Sequence, residues 1–493
     1  MASIERAVAG RMFLTPVGDR NVRSAATIGG PGQNTPARSD SVRDPGAYAG
    51  VMATPLNEAL KPWYGFNGPS EPIELFHDEI GGHGSADCQG TVAFSFSRRP
   101  VIEWEVSVPD FKAARKGSLD LTLHRPDGPM PLIGRASGTQ CGSSNGSEFG
   151  SRHSNLTRII AHWFNLPDWW CRELISETPD NPDSAYDGRW SFQASSWTIT
   201  FDKRRDLDEV LKQAKRSNLY VMTHVMELRR TDGKEFSAED ADHVLDALHV
   251  GMSFAIGRWA APLLPVGFSH DGSVAWEEWL PLHLDTADSV TPGWWYQNDL
   301  NSLEEVLRLT IEKFADPIIC ARLGFQMKFS ILSAGYHGFV ESRVINGTAG
   351  LEHMQWQHLV LGKILTEKQY KGRDLWNGRH LVAADRLRMT LDAAQISYDV
   401  DFSIMPEIHN FIRRDANAKD GADVVTRIRN RLVHPKAGQE IVYDQPGLLV
   451  EVWALARHFL ALLVLHSLGF TGKYRDLRKF QGWYGETEKV PWA

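Results

Sequence analysis

GADVVTRIRNRLVHPKAG, residues 421–438, is the stretch on which the reading of the C-terminal half turns. Asp423 is placed to cap a helix N-terminus, since a short polar side chain there accepts a free backbone N–H. Val424, Val425, Ile428, Leu432 and Val433 recur at helical spacing and give an apolar stripe. Arg427, Asn430, Arg431 and His434 stand at intervals of three, four and seven residues, which puts them on one other face. Arg429 precedes His434 by five residues, about 140° away on an ideal helix, and joins that face only by side-chain length or by distortion at the helix end. Pro435 stops the helix, because the residue before a proline is pushed out of the α region. A histidine at such a terminus beside arginines is suited to acid–base work. The same spacing also suits a solvated face whose cations complement the helix dipole.

Outward from this stretch, residues from about 302 onward predict helices at 303–315, 317–340, 348–367, 381–395, 405–415, 423–433 and 445–468. Short breaks between them imply a bundle. The most apolar run, around 447–470, is interrupted by Glu451, Arg457, His458 and His466. A membrane span wants about 20 apolar residues with few or no charges, so a buried helix and no membrane association are expected.

Upstream, TVAFSFS (91–97), VIEWEVSV (101–108) and LDLTLHR (119–125) alternate as half-buried strands do. RWSFQASSWTITF (189–201) reads as two strands or one bent one, and NLTRIIAHWF (155–164) as a short helix. GTQCGSSNGSEFG (138–150) lacks the GK[ST] ending of a phosphate loop and reads as a flexible loop. LDEVLKQAKRS and the segment after Ser237, a candidate N-cap, predict two helices within this region. The expected fold is multidomain α+β: a flexible arm at 1–45, a β-rich region at 46–301 (sandwich or barrel with insertions), and a helical bundle at 302–493.

Composition is that of a globular chain, with 42% hydrophobic and 23% charged residues. The net charge of −8 excludes a basic nucleic-acid-coating protein, so positive charge for RNA has to be local. The four cysteines, at 88, 141, 171 and 320, form no CxxC pair and predict reduced thiols. His77, His83 and Cys88 lack metal-ligand spacing; neither a metal nor another cofactor is expected. No signal core opens the chain, so a cytoplasmic protein is expected. The 17 tryptophans suit a core; an exposed aromatic row would instead point to carbohydrate binding.

Arg429-Asn430-x-x-x-His434 resembles the R-N-x-x-x-H form of the HEPN motif, and Arg427 fits its looser form. AGLEHMQWQHLVLGKIL (349–365), with Glu352, and the ending LLVLHSLGFTGKYRD (462–476) are similar to bacterial HEPN proteins. FSAEDADHVLDALHVGMSFAIGRWAAP (236–262) is similar to the region that precedes HEPN in ApeA-like anti-phage proteins. The resemblance implies metal-independent RNA cleavage in anti-phage defence, on a tRNA or mRNA substrate. It makes Arg429, Asn430 and His434 catalytic, with Arg427, Arg431 and Glu352 in support. It also implies a homodimer through the helical bundle and a phage-derived or protein trigger at the β-rich half. The alternative is a HEPN bundle kept for dimerisation or for binding nucleotide or protein.

Overall fold

Alternation of apolar and polar side chains builds the first half of the molecule. The computed structural model describes residues 56–493, apart from 83–84, 97–98, 108–117, 139, 180, 289–291, 336–337, 438–444, 446 and 480–484. The arm expected at 1–45 lies outside the described residues. After a two-residue strand β1 (Asn57–Glu58) come β2 (Ile73–Gly82), β3 (Ser85–Ser95), β4 (Val101–Val106), β5 (Leu119–Arg125), β6 (Gly128–Ala136) and β7 (Cys141–Gly150). These six strands β2–β7 run in the order β7-β4-β3-β2-β5-β6, and the pairing of β6 with β7 closes a barrel. In β4, buried Ile102, Trp104 and Val106 alternate with exposed Glu103 and Glu105. Leu119, Leu121 and Leu123 of β5 fill the same interior. The Trp104 ring fits because two neighbours have no side chain. A Cβ on Gly134 or Gly142 would stand 2.7 or 2.6 Å from its indole.

β7 covers most of the glycine- and serine-rich segment expected to be a flexible loop. It pairs with β4 and β6 inside the barrel, and its last residues, Ser147–Gly150, pair with β14 (Val274–Trp279) outside it. Backbone bonding on both edges and room beside Trp104 decide its conformation, rather than side-chain propensity. Beyond β14 the sheet continues through β13 (Pro262–Phe268), β8 (Arg158–Phe164), β12 (Met222–Arg230), β11 (Trp197–Lys203), β10 (Tyr186–Ala194) and β9 (Glu173–Ser176) to β1. β8 was expected to be helical. It lies between β12 and β13, and Ile159 to Phe164 are all buried, so no alternation marks it as a strand.

Two helices interrupt the sheet strands, α1 (Leu207–Ser217) and α2 (Ala238–Ile256). Ser237 caps α2 reciprocally: its hydroxyl accepts the Asp240 N–H at 3.1 Å and the Asp240 carboxylate accepts the Ser237 N–H at 2.9 Å. The C-terminal half is helical: α3 (Leu300–Phe314), α4 (Pro317–Ala334), α5 (Val340–Gln355), α6 (Glu367–Tyr370), α7 (Ala383–Ala393), α8 (Pro406–Arg414), α9 (Gly421–Val433) and α10 (Leu448–Leu468). A π-helical turn, Trp356–Leu361, extends α5. The strands β15 (Lys473–Tyr474) and β16 (Glu488–Lys489) pair near the C-terminus.

The 21-residue α10 is long and apolar enough to cross a membrane by length and composition, and 94% of its apolar window is buried inside the fold. α3, α4, α5, α8 and α9 pack against it. Gly350 of α5 allows close approach, since a Cβ there would meet Leu460 of α10 at 2.6 Å. Two polar residues of α10 meet polar groups. Glu451 accepts the backbone N–H groups of Glu407 and Ile408 at 3.1 and 2.8 Å, capping α8. The His458 ring lies 3.2 Å from Asp476. A single apolar core runs from Leu156 to Val490.

Candidate functional site

The helix that carries the R-N-x-x-x-H stretch begins earlier than Asp423. Asp420 is its N-cap, accepting the Asp423 N–H at 2.9 Å. The Asp423 carboxylate instead accepts the Lys419 N–H at 3.0 Å and pairs with Arg388 at 2.7 Å. Val424, Val425 and Ile428 of the expected stripe are buried and Leu432 is half-buried, but Val433, at the helix end, is exposed. α9 ends at the expected place. His434 leaves the α region with φ −130° and ψ 71°, while its N–H still donates to the Asn430 carbonyl at 2.8 Å.

Arg429 and Asn430 meet directly. Arg429 Nη1 donates to Asn430 Oδ1 at 3.2 Å, and Arg429 Nη2 lies 3.2 Å from Glu352 Oε1. No distortion of the helix end is involved; adjacent side chains bend together above the α5 surface. They line a cleft between α5, α7 and α9 with Thr348, Glu352 and Gln355, over a floor that includes Leu351, Leu387 and Val425. Glu352, expected in a supporting role, is thus at the site.

The other two arginines point elsewhere. Arg431 donates to Asp415 at 2.6 Å and stacks over the Phe411 ring at 4.8 Å. Arg427 lies 3.8 Å from the same carboxylate. Both brace α9 against α8 rather than lining the cleft. His434 is exposed at the end of α9, outside the lining of the cleft. The single polar face expected from spacing is therefore three places: the cleft, the Asp415 anchor and the exposed terminus.

Gln355 and Thr348 were missed in the sequence. Thr348, Glu352 and Gln355 stand four and three residues apart on α5, which was the available signal. Thr348 spends its hydroxyl hydrogen on the Val344 carbonyl at 2.8 Å. Gln355 is 2% exposed, and its amide has no hydrogen-bond partner among the described residues.

Other candidate features have structural explanations. Trp163, Trp169, Trp190, Trp294 and Trp295 are fully buried; no exposed aromatic row runs along the sheet among the described residues. His77 pairs with Glu74 at 3.4 Å and Cys88 is buried. No group of three or more His, Cys, Asp or Glu able to hold a metal ion occurs among the described residues.

Residues 151–290 match the family described as the YopA central domain, and residues 330–489 match the YopA C-terminal domain. The SPbeta prophage-derived uncharacterized protein YopA of Bacillus subtilis (strain 168) is 28% identical over 312 residues. That alignment covers 62% of this chain and 66% of the relative, a little under two thirds of its length. No solved structure matches the chain. Glu352, Gln355, Arg429, Asn430 and His434 all fall within the C-terminal match, and the barrel precedes the central one. From β8 onward the chain is therefore similar to YopA in two successive parts, a central domain of sheet and helix and a C-terminal helical domain that carries the cleft.

Proposed function

We propose that this protein is a metal-independent endoribonuclease of HEPN type, acting in the cytoplasm as a homodimer. The observation that carries the reading is the contact of Arg429 with Asn430 at the cleft, one helical turn before His434. In this reading His434 takes the proton of a ribose 2′-hydroxyl, whose oxygen attacks the adjacent phosphorus. The bond to the 5′ oxygen breaks, and the histidine of the second subunit returns a proton to that leaving oxygen. Arg429 stabilises the charge that develops on the phosphoryl oxygens. The product ends are a 2′,3′-cyclic phosphate and a 5′-hydroxyl. Two subunits are invoked because one helix supplies one histidine, whereas the reaction uses a base and an acid. The anti-phage setting, with a trigger sensed by the β-rich half, rests on the resemblance to ApeA-like proteins.

Sequencing RNA ends after induction of wild type and His434→Ala in cells tests the reading. New cyclic-phosphate ends are expected with the wild type alone. Equal patterns in both overturn it. A second reading, a cleft that binds without cutting, is favoured by the position of His434 outside the cleft lining and by the engagement of Arg429 with Glu352.

A further inference from the structure

Gln355 closes the last turn of α5, immediately before the π-helical turn Trp356–Leu361. Its amide has no hydrogen-bond partner among the described residues and opens onto the cleft that it lines. Helices rarely adopt π turns, and those that occur gather at functional positions. Both features coincide at the cleft that Arg429 and Asn430 line.

The donors available there select the ligand. Thr348 has given its hydrogen to the Val344 carbonyl and can only accept. Asn430 Oδ1 is taken by Arg429, and its Nδ2 has no partner among the described residues. Gln355 Nε2, Asn430 Nδ2 and the Arg429 guanidinium are what remains to donate. A set of N–H donors around one cation fits an anion. The cleft is open to solvent and offers about 20 Å³ to the centres of water-sized groups, room for the oxygens of a phosphate.

We propose that Gln355 is a substrate-contacting residue: its amide and Arg429 together hold the non-bridging oxygens of one RNA backbone phosphate. This rests on the ribonuclease reading and adds a donor from α5 to those of α9. The phosphate takes the place of Glu352 on one arm of the guanidinium. Because the contact goes to phosphate and not to a base, it gives affinity without sequence preference.

The test is equilibrium binding of a 2′-O-methyl RNA oligonucleotide, which lacks the attacking hydroxyl and so reports binding alone. Gln355→Leu is expected to weaken binding about tenfold, as loss of one charge-assisted hydrogen bond does. Gln355→Glu is expected to weaken it further, with the gap to wild type narrowing at high salt. Melting of Gln355→Leu should match or exceed wild type, since an unpaired amide is replaced by an apolar group; a purely structural glutamine would lower it. Gln355→Met is the second variant should Leu disturb packing, and failure of both to fold makes the residue structural and overturns the proposal. Wild-type affinity in Gln355→Leu, alongside lost affinity in Arg429→Ala, overturns the Gln355 assignment and leaves the ribonuclease reading standing. No binding by the wild type overturns both.

Discussion

Arg429 Nη2 sits 3.2 Å from Glu352 Oε1, so one carboxylate of α5 engages the arginine that α9 presents to the cleft. The pair is partly open to solvent, and a substrate phosphate competes with Glu352 for the same guanidinium. Glu352→Gln is expected to tighten binding of an uncleavable RNA by roughly 2–10-fold at low salt, with the gain shrinking as salt screens the charge. Titration at two ionic strengths checks this; unchanged or weaker binding would show that Glu352 orients Arg429 instead of competing for it.

Purified protein should show the chemistry directly. His434→Ala should lower cleavage by about 10²–10⁴-fold. Arg429→Ala should also impair it, and Arg429→Lys should restore it only in part, because a point charge does not reproduce a planar fork. DNA of the same sequence should remain intact, and cleavage of RNA should persist in EDTA. A folded, dimeric His434→Ala protein with full activity sinks the catalytic assignment.

Arg431 should behave differently from Arg429. Its guanidinium is held by Asp415 at 2.6 Å and by the Phe411 ring, with both charged groups largely buried. Arg431→Ala leaves Asp415 short of its partner and is expected to lower stability by about 1–3 kcal/mol. Activity per folded molecule should stay near wild type. Urea denaturation beside a cleavage assay separates the two effects.

Glu451 is a buried acid in the first turn of the most apolar helix, and its carboxylate receives two backbone N–H groups at the start of α8. Burial raises its pKa, while those two donors oppose the rise. Glu451→Ala is expected to cost about 1–3 kcal/mol, since two donors lose their acceptor. Glu451→Gln keeps one acceptor oxygen and should cost less. Chemical denaturation of the two variants orders them.

Stability should fall in mild acid. Burial pushes the His162 ring down to about 4, and the His458 ring down to about 3 with Arg478 and Arg457 adding to the effect. Burial drives His224 in the same direction. Burial keeps His162 neutral: its Nε2 accepts the Trp63 N–H at 3.1 Å, while its Nδ1, 3.1 Å from the Leu264 carbonyl, makes a contact that opposes the fall. In the unfolded chain these rings protonate near pH 6.5, so below that pH the unfolded state takes up protons that the folded state refuses. Their contribution is therefore complete above pH 6.5 and is lost as pH falls toward 4, by about 1.4 kcal/mol per pH unit for each ring. Glu277, which burial raises to about 7 against the opposing hydrogen bond from Trp279, acts with the opposite sign. The three rings outnumber it, so a lower urea midpoint at pH 5 than at pH 7.5 is expected. Equal midpoints would mean that these rings already take up protons in the folded state.

Legibility followed the strength of the local pattern. α2 could be read to its cap because Ser237 and the acidic first turn advertise a helix start. The end of α9 at His434 could be read because Pro435 forbids another outcome. β8 could not: Ile159 to Phe164 are apolar on both faces, and a strand buried twice carries no period. β7 was hidden for the opposite reason, since its glycines suit a neighbour's bulk, Trp104, that lies far away in sequence. At the site, Arg429, Asn430, Glu352 and His434 were legible as residue types. Their distribution was not, because spacing says which residues share a face but not that Asp415 draws Arg427 and Arg431 away. Gln355 escaped notice because an amide in an amphipathic helix resembles any surface polar residue until its burial is known.

The double duty of β7 bears on how this chain can be divided. Its first residues close the barrel and its last four pair with β14. The match to the YopA central domain begins at residue 151, directly after it. A fragment cut at that point would keep β14 but strip its outer neighbour, baring a row of backbone donors and acceptors that invites pairing with another chain. Such a fragment should aggregate through that raw edge, while one that begins upstream of the barrel should stay dispersed. The barrel thus serves the rest of the sheet as a stopper, and domain dissection has to carry it along.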